Sequence, residues 1–322
     1  MTWPRVAVLL LTGTGLLLRY YHINAQSFWF DEADIVARSH ADIGSLLLAF
    51  TSAGENGPLY TLLLHFWSRI FGESEAAVRA LSALFGTLTI PLIYLFSSAL
   101  LRAGGAAARW AEGVGVLAAA VLTIAPFHIW YSQEAKMYAL VVLATLGSMY
   151  AFVRALERDR PGRWVTYVIV TLLALYAHGM AVLILLAQLL YYAWLLVTRR
   201  RRLANSRYWL RATLVMLLPF IPLLILRADY LLSTAQISPF YSPTTLGDIL
   251  QAVIVKFSLN RLPAGMQGWE LAGGALFTIL AMIGLMTANP SPKGGGWVGE
   301  QNPSPKGGGW VGEHSQPSAL ST

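Results

Sequence analysis

Apolar residues run through this chain in long blocks, broken by short polar stretches in which arginine is prominent. A helix needs roughly 20 consecutive apolar residues to cross a bilayer. The blocks predict eight spans, at about 3–21, 79–101, 113–130, 137–154, 164–178, 179–198, 209–226 and 270–287. Two long loops separate some of them, at 22–77 and 227–269. Inside the first loop, Pro58–Phe71 (PLYTLLLHFWSRIF) is apolar but short, and it holds His65 and Arg69. That pattern predicts a helix lying at the membrane interface. Between the fifth and sixth spans only Ala177, His178 and Gly179 are left for a turn, which predicts a tight hairpin. The predicted fold is therefore all-α: a polytopic transmembrane helical bundle with amphipathic juxtamembrane helices in the first outer loop.

Composition agrees with that picture. The 322 residues are 56% hydrophobic and 12% charged, with mean hydropathy +0.55, whereas a soluble domain carries roughly 25% charged residues. The net charge of +7 sits in inter-span loops rather than on one face. With the N-terminus inside, the cytoplasmic loops hold Arg102 and Arg109, then Arg154, Arg158, Arg160 and Arg163, then Arg199–Arg202 with Arg207 and Arg211. The opposite loops hold Asp31, Glu32, Asp34, Glu55, Glu73, Glu75 and Glu134. This asymmetry is that of a membrane protein with basic loops inside, and it argues against nucleic acid as a partner. The N-terminal block lacks a small-x-small cleavage site before Gln26 and carries Trp3, Tyr20 and Tyr21 at its edges, which reads as an uncleaved first span. Cysteine is absent, so disulfides, thiolate metal sites and cysteine nucleophiles are excluded.

The end of the chain breaks the pattern. NPSPKGGGWVGE occurs twice, at Asn289–Glu300 and Asn302–Glu313. Glycine- and proline-rich tandem repeats build neither a helix nor a core. The expected division is a transmembrane domain over 1–288 and a low-complexity tail over 289–322.

Three polar clusters fall on the predicted outer side. In SFWFDEA (27–33), Asp31 and Glu32 follow one another among aromatics. Carboxylates at a membrane surface are costly to desolvate and call for a solvated cleft, a cation or a chemical role. A helix starting at Asp31 would put Asp34, Ile35 and Arg38 on one face, with Asp34 and Arg38 as an i,i+4 ion pair. The second cluster, FHIWYSQEAKMYAL (127–140), joins the third and fourth spans with no evident loop. On a helix it would align Tyr131, Glu134 and Tyr138, and separately His128 and Ser132, while Glu134 and Lys136 could pair locally. The third is Tyr176–Ala177–His178. No His-x-x-x-His or His-Glu-x-x-His pattern occurs, which argues against a zinc site, and no Walker loop is present.

Five blocks in order carry a resemblance: SFWFDEA (27–33), ENGPLYTLLLHFW (55–67), FGESEAAVRALSALFGTLTIPLIY (71–94), FHIWYSQEAKMYAL (127–140) and LYAHGMAVLILLAQ (175–188). Over about residues 1–285 the chain resembles the family 39-type C-class glycosyltransferases. These include dolichyl-phosphate-mannose-protein-mannosyltransferase-like proteins and are related to the aminoarabinose transferase of lipid A. The resemblance implies an integral-membrane enzyme of the cell envelope. It would take a sugar from a polyprenyl-phosphate donor at the non-cytoplasmic face and pass it to a lipid, glycan or protein acceptor. It also implies that Asp31 is the catalytic base, that Glu32 is the second acidic position, and that Glu134 is the acidic residue after the third span. Lys136 lies in a matching block as a cation for the lipid phosphate. Tyr131, Tyr138 and His178 join it as substrate-binding candidates. Arg227, Lys256 and Arg261 in the long loop are cations that no motif aligns, and Arg261 is taken as the candidate there. A divalent cation stays open as a cofactor.

Members of that family are usually longer, with more spans, so the chain reads as C-terminally truncated. Two rival readings follow. One is a transporter or flippase-like protein using Asp31, Glu32 and Glu134 as cation sites, although these lie in a loop and at span ends rather than at mid-membrane. The other is a truncated member without activity.

Overall fold

The computed structural model describes residues 2–49, 57–197 and 208–219, with a few isolated positions beyond. Every element among the described residues is helical: α1 (Trp3–Tyr20), α2 (Phe30–Ser39), α3 (Ile43–Ala49), α4 (Leu59–Phe71), α5 (Glu75–Ala103), α6 (Ala108–Ile124), α7 (Pro126–Ser132), α8 (Tyr138–Glu157), α9 (Pro161–Ala177), a 3₁₀ turn (Gly179–Val182), α10 (Leu183–Val197) and α11 (Trp209–Leu217). The eighth predicted span, the loop at 227–269 with Arg227, Lys256 and Arg261, and the tail repeats lie outside the described residues.

Three of these segments are long and apolar enough to cross a membrane: α5, α8, and the 3₁₀ turn continued by α10, Gly179–Val197. A fourth crossing exists if α6 and α7 count as one span, and they are bent by 61°. Eight spans were expected, and three or four qualify among the described residues. The first predicted span forms as α1 but is diluted by Arg5, Arg19 and the run Thr12–Gly13–Thr14–Gly15. The fifth forms as α9, whose 17 residues rise about 26 Å, short of a roughly 30 Å hydrocarbon layer. The third was expected to run straight through 113–130. Instead α6 stops at Ile124 and α7 begins with Pro126 at its first position, because proline lacks the N–H that would continue the helix.

α5 is opened by Ser74, whose hydroxyl accepts from the Ala77 amide, and has Glu75 in its first turn. At 29 residues it is about 43 Å long, more than a hydrocarbon layer of roughly 30 Å. α5 and α8 both start at one end of the bundle, and α6 and α9 both return to it. The loops with Arg102 and Arg109, and with Arg154, Arg158, Arg160 and Arg163, therefore lie at the opposite end. At the near end a core of Ile35, Tyr60, Leu64, Val78, Leu81, Ala135, Met137, Leu140 and Ala177 fastens α2 and α4 onto α5, α8 and α9. The amphipathic helix expected at Pro58–Phe71 is α4, which turns Tyr60, Leu64 and His65 inward and leaves Phe66, Ile70 and Phe71 exposed.

At the other end, Phe152, Leu156, Trp164, Tyr167, Leu195 and Met216 join α8 to α11. Between the two cores runs a closed polar circuit. Tyr167 donates to the Gln188 amide oxygen at 2.6 Å, and the Gln188 amide nitrogen donates to Ser148 Oγ at 2.8 Å. Ser148 lies 2.7 Å from Thr171 Oγ1, which donates to the Tyr167 carbonyl at 2.7 Å. Every member is satisfied, which is how polar groups persist inside an apolar bundle.

Candidate functional site

α2 begins at Phe30, so Asp31 and Glu32 occupy its first turn, where the helix dipole favours negative charge. Successive helical residues point about 100° apart, and this separates the two carboxylates. The Glu32 side chain is 1% exposed and the Asp31 side chain 39%.

Glu32 is locked. Arg79 on α5 grips it in a fork, Nε to Oε1 at 2.9 Å and Nη2 to Oε2 at 2.6 Å. Oε1 also accepts the Ala135 amide at 2.8 Å. The remaining Arg79 donors reach the carbonyls of Ile23 at 2.9 Å, Gln26 at 2.7 Å and Ser27 at 3.2 Å. All five guanidinium N–H groups thus have acceptors, and the Phe28 ring lies 5.5 Å from the guanidinium carbon. This junction ties the start of the first loop, α2, α5 and the turn at 133–137 together. Arg79 was not singled out from the sequence. Its signal was a lone arginine at the head of an otherwise apolar helix.

Asp31 is open to solvent, with Lys136 Nζ 3.5 Å from its Oδ2. The expected local pairing of Lys136 with Glu134 is thus replaced by a long-range one. The Lys136 carbonyl accepts Ser82 Oγ at 3.1 Å, and Tyr60 stands 2.7 Å from Ser82, so α4 and α5 also brace this turn. Glu134 accepts Trp130 Nε1 at 2.7 Å. Partial burial raises its pKa, with Glu32 and Asp31 adding to the rise, while the Trp130 hydrogen bond and Lys136 oppose it.

The common helical face expected for Tyr131, Glu134 and Tyr138 does not form, because α7 ends at Ser132 and a turn covers 133–137. The turn still brings the Tyr131 and Tyr138 rings edge to face at 4.9 Å. His128 and Ser132 do share a face, with Ser132 donating to the His128 carbonyl at 2.5 Å. The Asp34–Arg38 pair forms at 2.9 Å.

His178 caps α9 in an extended conformation, and its Nδ1 accepts the Met180 amide at 3.0 Å. Burial lowers its pKa. It stands at the same end of the bundle, beside Ala177 of the near core, but no described hydrogen bond joins it to Asp31, Glu134 or Lys136. Gly57 rests directly on the neighbouring turn: a Cβ there would lie 1.9 Å from the Tyr176 carbonyl oxygen. Arg261 lies outside the described residues. No cluster of three potential metal ligands occurs among the described residues. Glu32, with Arg79 and the Ala135 amide on its oxygens, is not free to serve as a ligand.

The family of dolichyl-phosphate-mannose-protein mannosyltransferases matches residues 55–226, more than half of the chain. The chain belongs to that family. No curated protein matches it. The matched segment carries Arg79, Glu134, Lys136 and His178, and it begins after Asp31 and Glu32. As a member of the mannosyltransferase family, the chain is an integral-membrane glycosyltransferase, and members of this family use lipid-linked sugar donors. The geometry at the near end shows how a first-loop carboxylate outside the matched segment is held against groups inside it.

Proposed function

We propose that the protein moves a sugar from a polyprenyl-phosphate donor to an acceptor hydroxyl at the non-cytoplasmic face, in the manner of the family 39-type C-class enzymes related to the lipid A aminoarabinose transferase. One observation carries the reading. Of the two adjacent carboxylates, Asp31 alone is exposed, and it sits beside a cation, while Glu32 is consumed by Arg79 and a backbone amide.

The reaction asks for one proton acceptor and one place for negative charge. The acceptor oxygen attacks C1 of the sugar, its proton passes to an Asp31 carboxylate oxygen, and the C1–O bond to the lipid phosphate breaks. A single displacement of this kind inverts the anomeric centre. Phosphate is already a good leaving group, and a nearby ammonium stabilises the charge it takes with it. Lys136 supplies that ammonium and couples it to the base. Tyr131 and Tyr138 offer an aromatic wall beside Glu134, which in its protonated form would donate to a sugar or acceptor oxygen. His178 and Arg261 are proposed as further donors to substrate, and the acceptor is a lipid, glycan or protein hydroxyl.

The test is sugar transfer from radiolabelled lipid-linked donor in membranes. Asp31→Asn keeps the shape of the side chain but cannot take the proton, and loss of a general base costs about 10²- to 10⁴-fold. Full activity in Asp31→Asn would remove Asp31 from that role. Sidedness is tested with single cysteines in this cysteine-free chain. Ser27→Cys should react with a membrane-impermeant thiol reagent in intact cells and Arg158→Cys should not.

A further inference from the structure

Arg19 is fully buried near the end of α1, and no described carboxylate pairs with it. Its Nη2 donates to the Leu122 carbonyl at 3.1 Å and its Nη1 to the Thr123 carbonyl at 3.4 Å. These two acceptors have a specific history. In a continuing helix the Leu122 carbonyl would receive the amide of residue 126, four positions on. Residue 126 is proline and has no N–H. The Thr123 carbonyl would receive the Phe127 amide, which the 61° bend carries away from it. Arg19 therefore donates to both carbonyls left open by the break.

The same guanidinium meets His128 Nδ1 at 2.9 Å. Arginine only donates, so Nδ1 accepts, and the ring proton is placed on Nε2. Arg19 thus touches the last turn of α6 and the first turn of α7 together. Two glycines keep the space open. A Cβ at Gly86 would lie 2.0 Å from Ser132 Oγ and 3.2 Å from Arg19 Nε, and one at Gly15 would lie 3.0 Å from Arg19 Nη1.

The far end of α7 repays the contact in the other direction. α1 ends with carbonyls that have no intrahelical partner. The Gln133 side-chain amide donates to those of Leu18 at 3.4 Å and Arg19 at 3.2 Å, and to the carbonyl of Tyr21, just past the helix, at 2.8 Å. α1 thus caps the break before α7, and the residue after α7 caps α1. Gln133 is followed directly by Glu134, Ala135 and Lys136, the turn that meets Asp31 and Glu32.

We infer that Arg19 and Gln133 are positioning residues. As reciprocal caps between α1 and the α6–α7 break, they hold the bend that carries Glu134 and Lys136 to Asp31. That this turn belongs to the reacting site rests on the proposed function, but the capping geometry does not.

The experiment reads geometry without turnover. A water-soluble carbodiimide joins a carboxylate to an amine with no spacer, so the wild type in detergent should give an Asp31–Lys136 amide detectable by peptide mass spectrometry. The variants are Arg19→Gln, Gln133→Ala, Pro126→Ala and the double variant Arg19→Gln with Pro126→Ala, each also followed by thermal unfolding. Arg19→Gln should lower the melting temperature and cut the cross-link about tenfold or more, because coupling at contact is lost with about an ångström of misplacement. Gln133→Ala removes the cap without burying a new group. It should cut the cross-link with a smaller loss of stability.

The double variant decides the matter. Alanine at 126 returns an N–H to the Leu122 carbonyl, so the double variant should melt above Arg19→Gln alone. It should still lack the cross-link, because α6 and α7 straighten. A merely structural arginine would give back both together. Absence of the cross-link in the wild type would overturn the proposal, as would wild-type cross-linking in Arg19→Gln or Gln133→Ala, or a double variant no more stable than Arg19→Gln. Full transfer activity in Asp31→Asn with these cross-linking results intact would instead reject only the catalytic reading.

Discussion

Two polar clusters in this molecule solve the same problem in opposite ways. The Tyr167–Gln188–Ser148–Thr171 circuit lies inside the bundle, and each hydroxyl and amide in it finds a partner within the cluster. The cluster at the near end is built in two layers. Its buried layer, Glu32 with Arg79, is as fully satisfied as the circuit. In its outer layer Lys136 stands 3.5 Å from Asp31, Glu134 is held by Trp130, and both carboxylates are left partly exposed. A closed network specifies which helices meet. An open one on a closed base leaves hydrogen-bonding capacity to spend on a substrate while its geometry stays fixed.

That contrast can be broken, most forcefully, at the two adjacent carboxylates. Asp31→Asn should lower transfer about 10²- to 10⁴-fold while leaving the melting temperature in detergent near that of the wild type. Glu32→Gln should reverse the pattern and lower stability first. It leaves the buried Arg79 charge without its counterion, and breaking a buried pair costs about 3–5 kcal/mol. Equal stability loss in both variants would show that the two layers are one.

In the circuit the effects should be smaller. Gln188→Leu removes both links between α10 and its neighbours, and hydrogen bonds between membrane helices average about 0.6 kcal/mol, with larger values near 1.7. A thermal shift of that order, with donor KM unchanged, is the expected result. A changed KM would mean that the circuit reports to the site.

Glu134 sharpens the comparison through pH. Its pKa is raised in the folded protein, chiefly by burial, so the folded state holds this proton more tightly than the unfolded one. Stability from this group is therefore present at low pH and falls as pH rises from the unfolded value through the folded one. Glu134→Gln, which still accepts from Trp130, should flatten that decline in melts taken from pH 4 upward. Parallel slopes in wild type and variant would contradict the raised value. The smallest effect is expected at the tail: deleting 289–322 should barely move the melting temperature, since the repeats have no apolar face to bury. A large loss would show that they pack.

The membrane character, the helical class and the approximate position of most described helices were legible in the sequence. They follow from local quantities: block length, the charge at block edges, and the short apolar stretch Pro58–Phe71 with His65 and Arg69 inside it. The acidic motif was legible for the same reason, as a costly pair of charges in an apolar setting. What differed came from places where local pattern is silent. FHIWYSQEAKMYAL reads as continuous helix by periodicity, yet Pro126 and the Glu32 and Arg19 contacts from other helices bend it and make a turn of 133–137.

The sequence by itself determined that the chain belongs in a membrane, that its described apolar blocks are helical, and that Asp31 and Glu32 stand side by side in a polar break after the first of them. Only the tertiary structure decided that they have different fates. A helix turns consecutive side chains about 100° apart, but which direction is inward depends on where α5 brings Arg79. That same packing, joining residues more than a hundred positions apart in Arg19 and His128, decided that Lys136 faces Asp31 rather than its neighbour Glu134. Hydrophobic periodicity reports which face of a helix is buried. It carries no information on which distant charge or carbonyl will meet it there, and those meetings set the surroundings of Asp31 and Glu32.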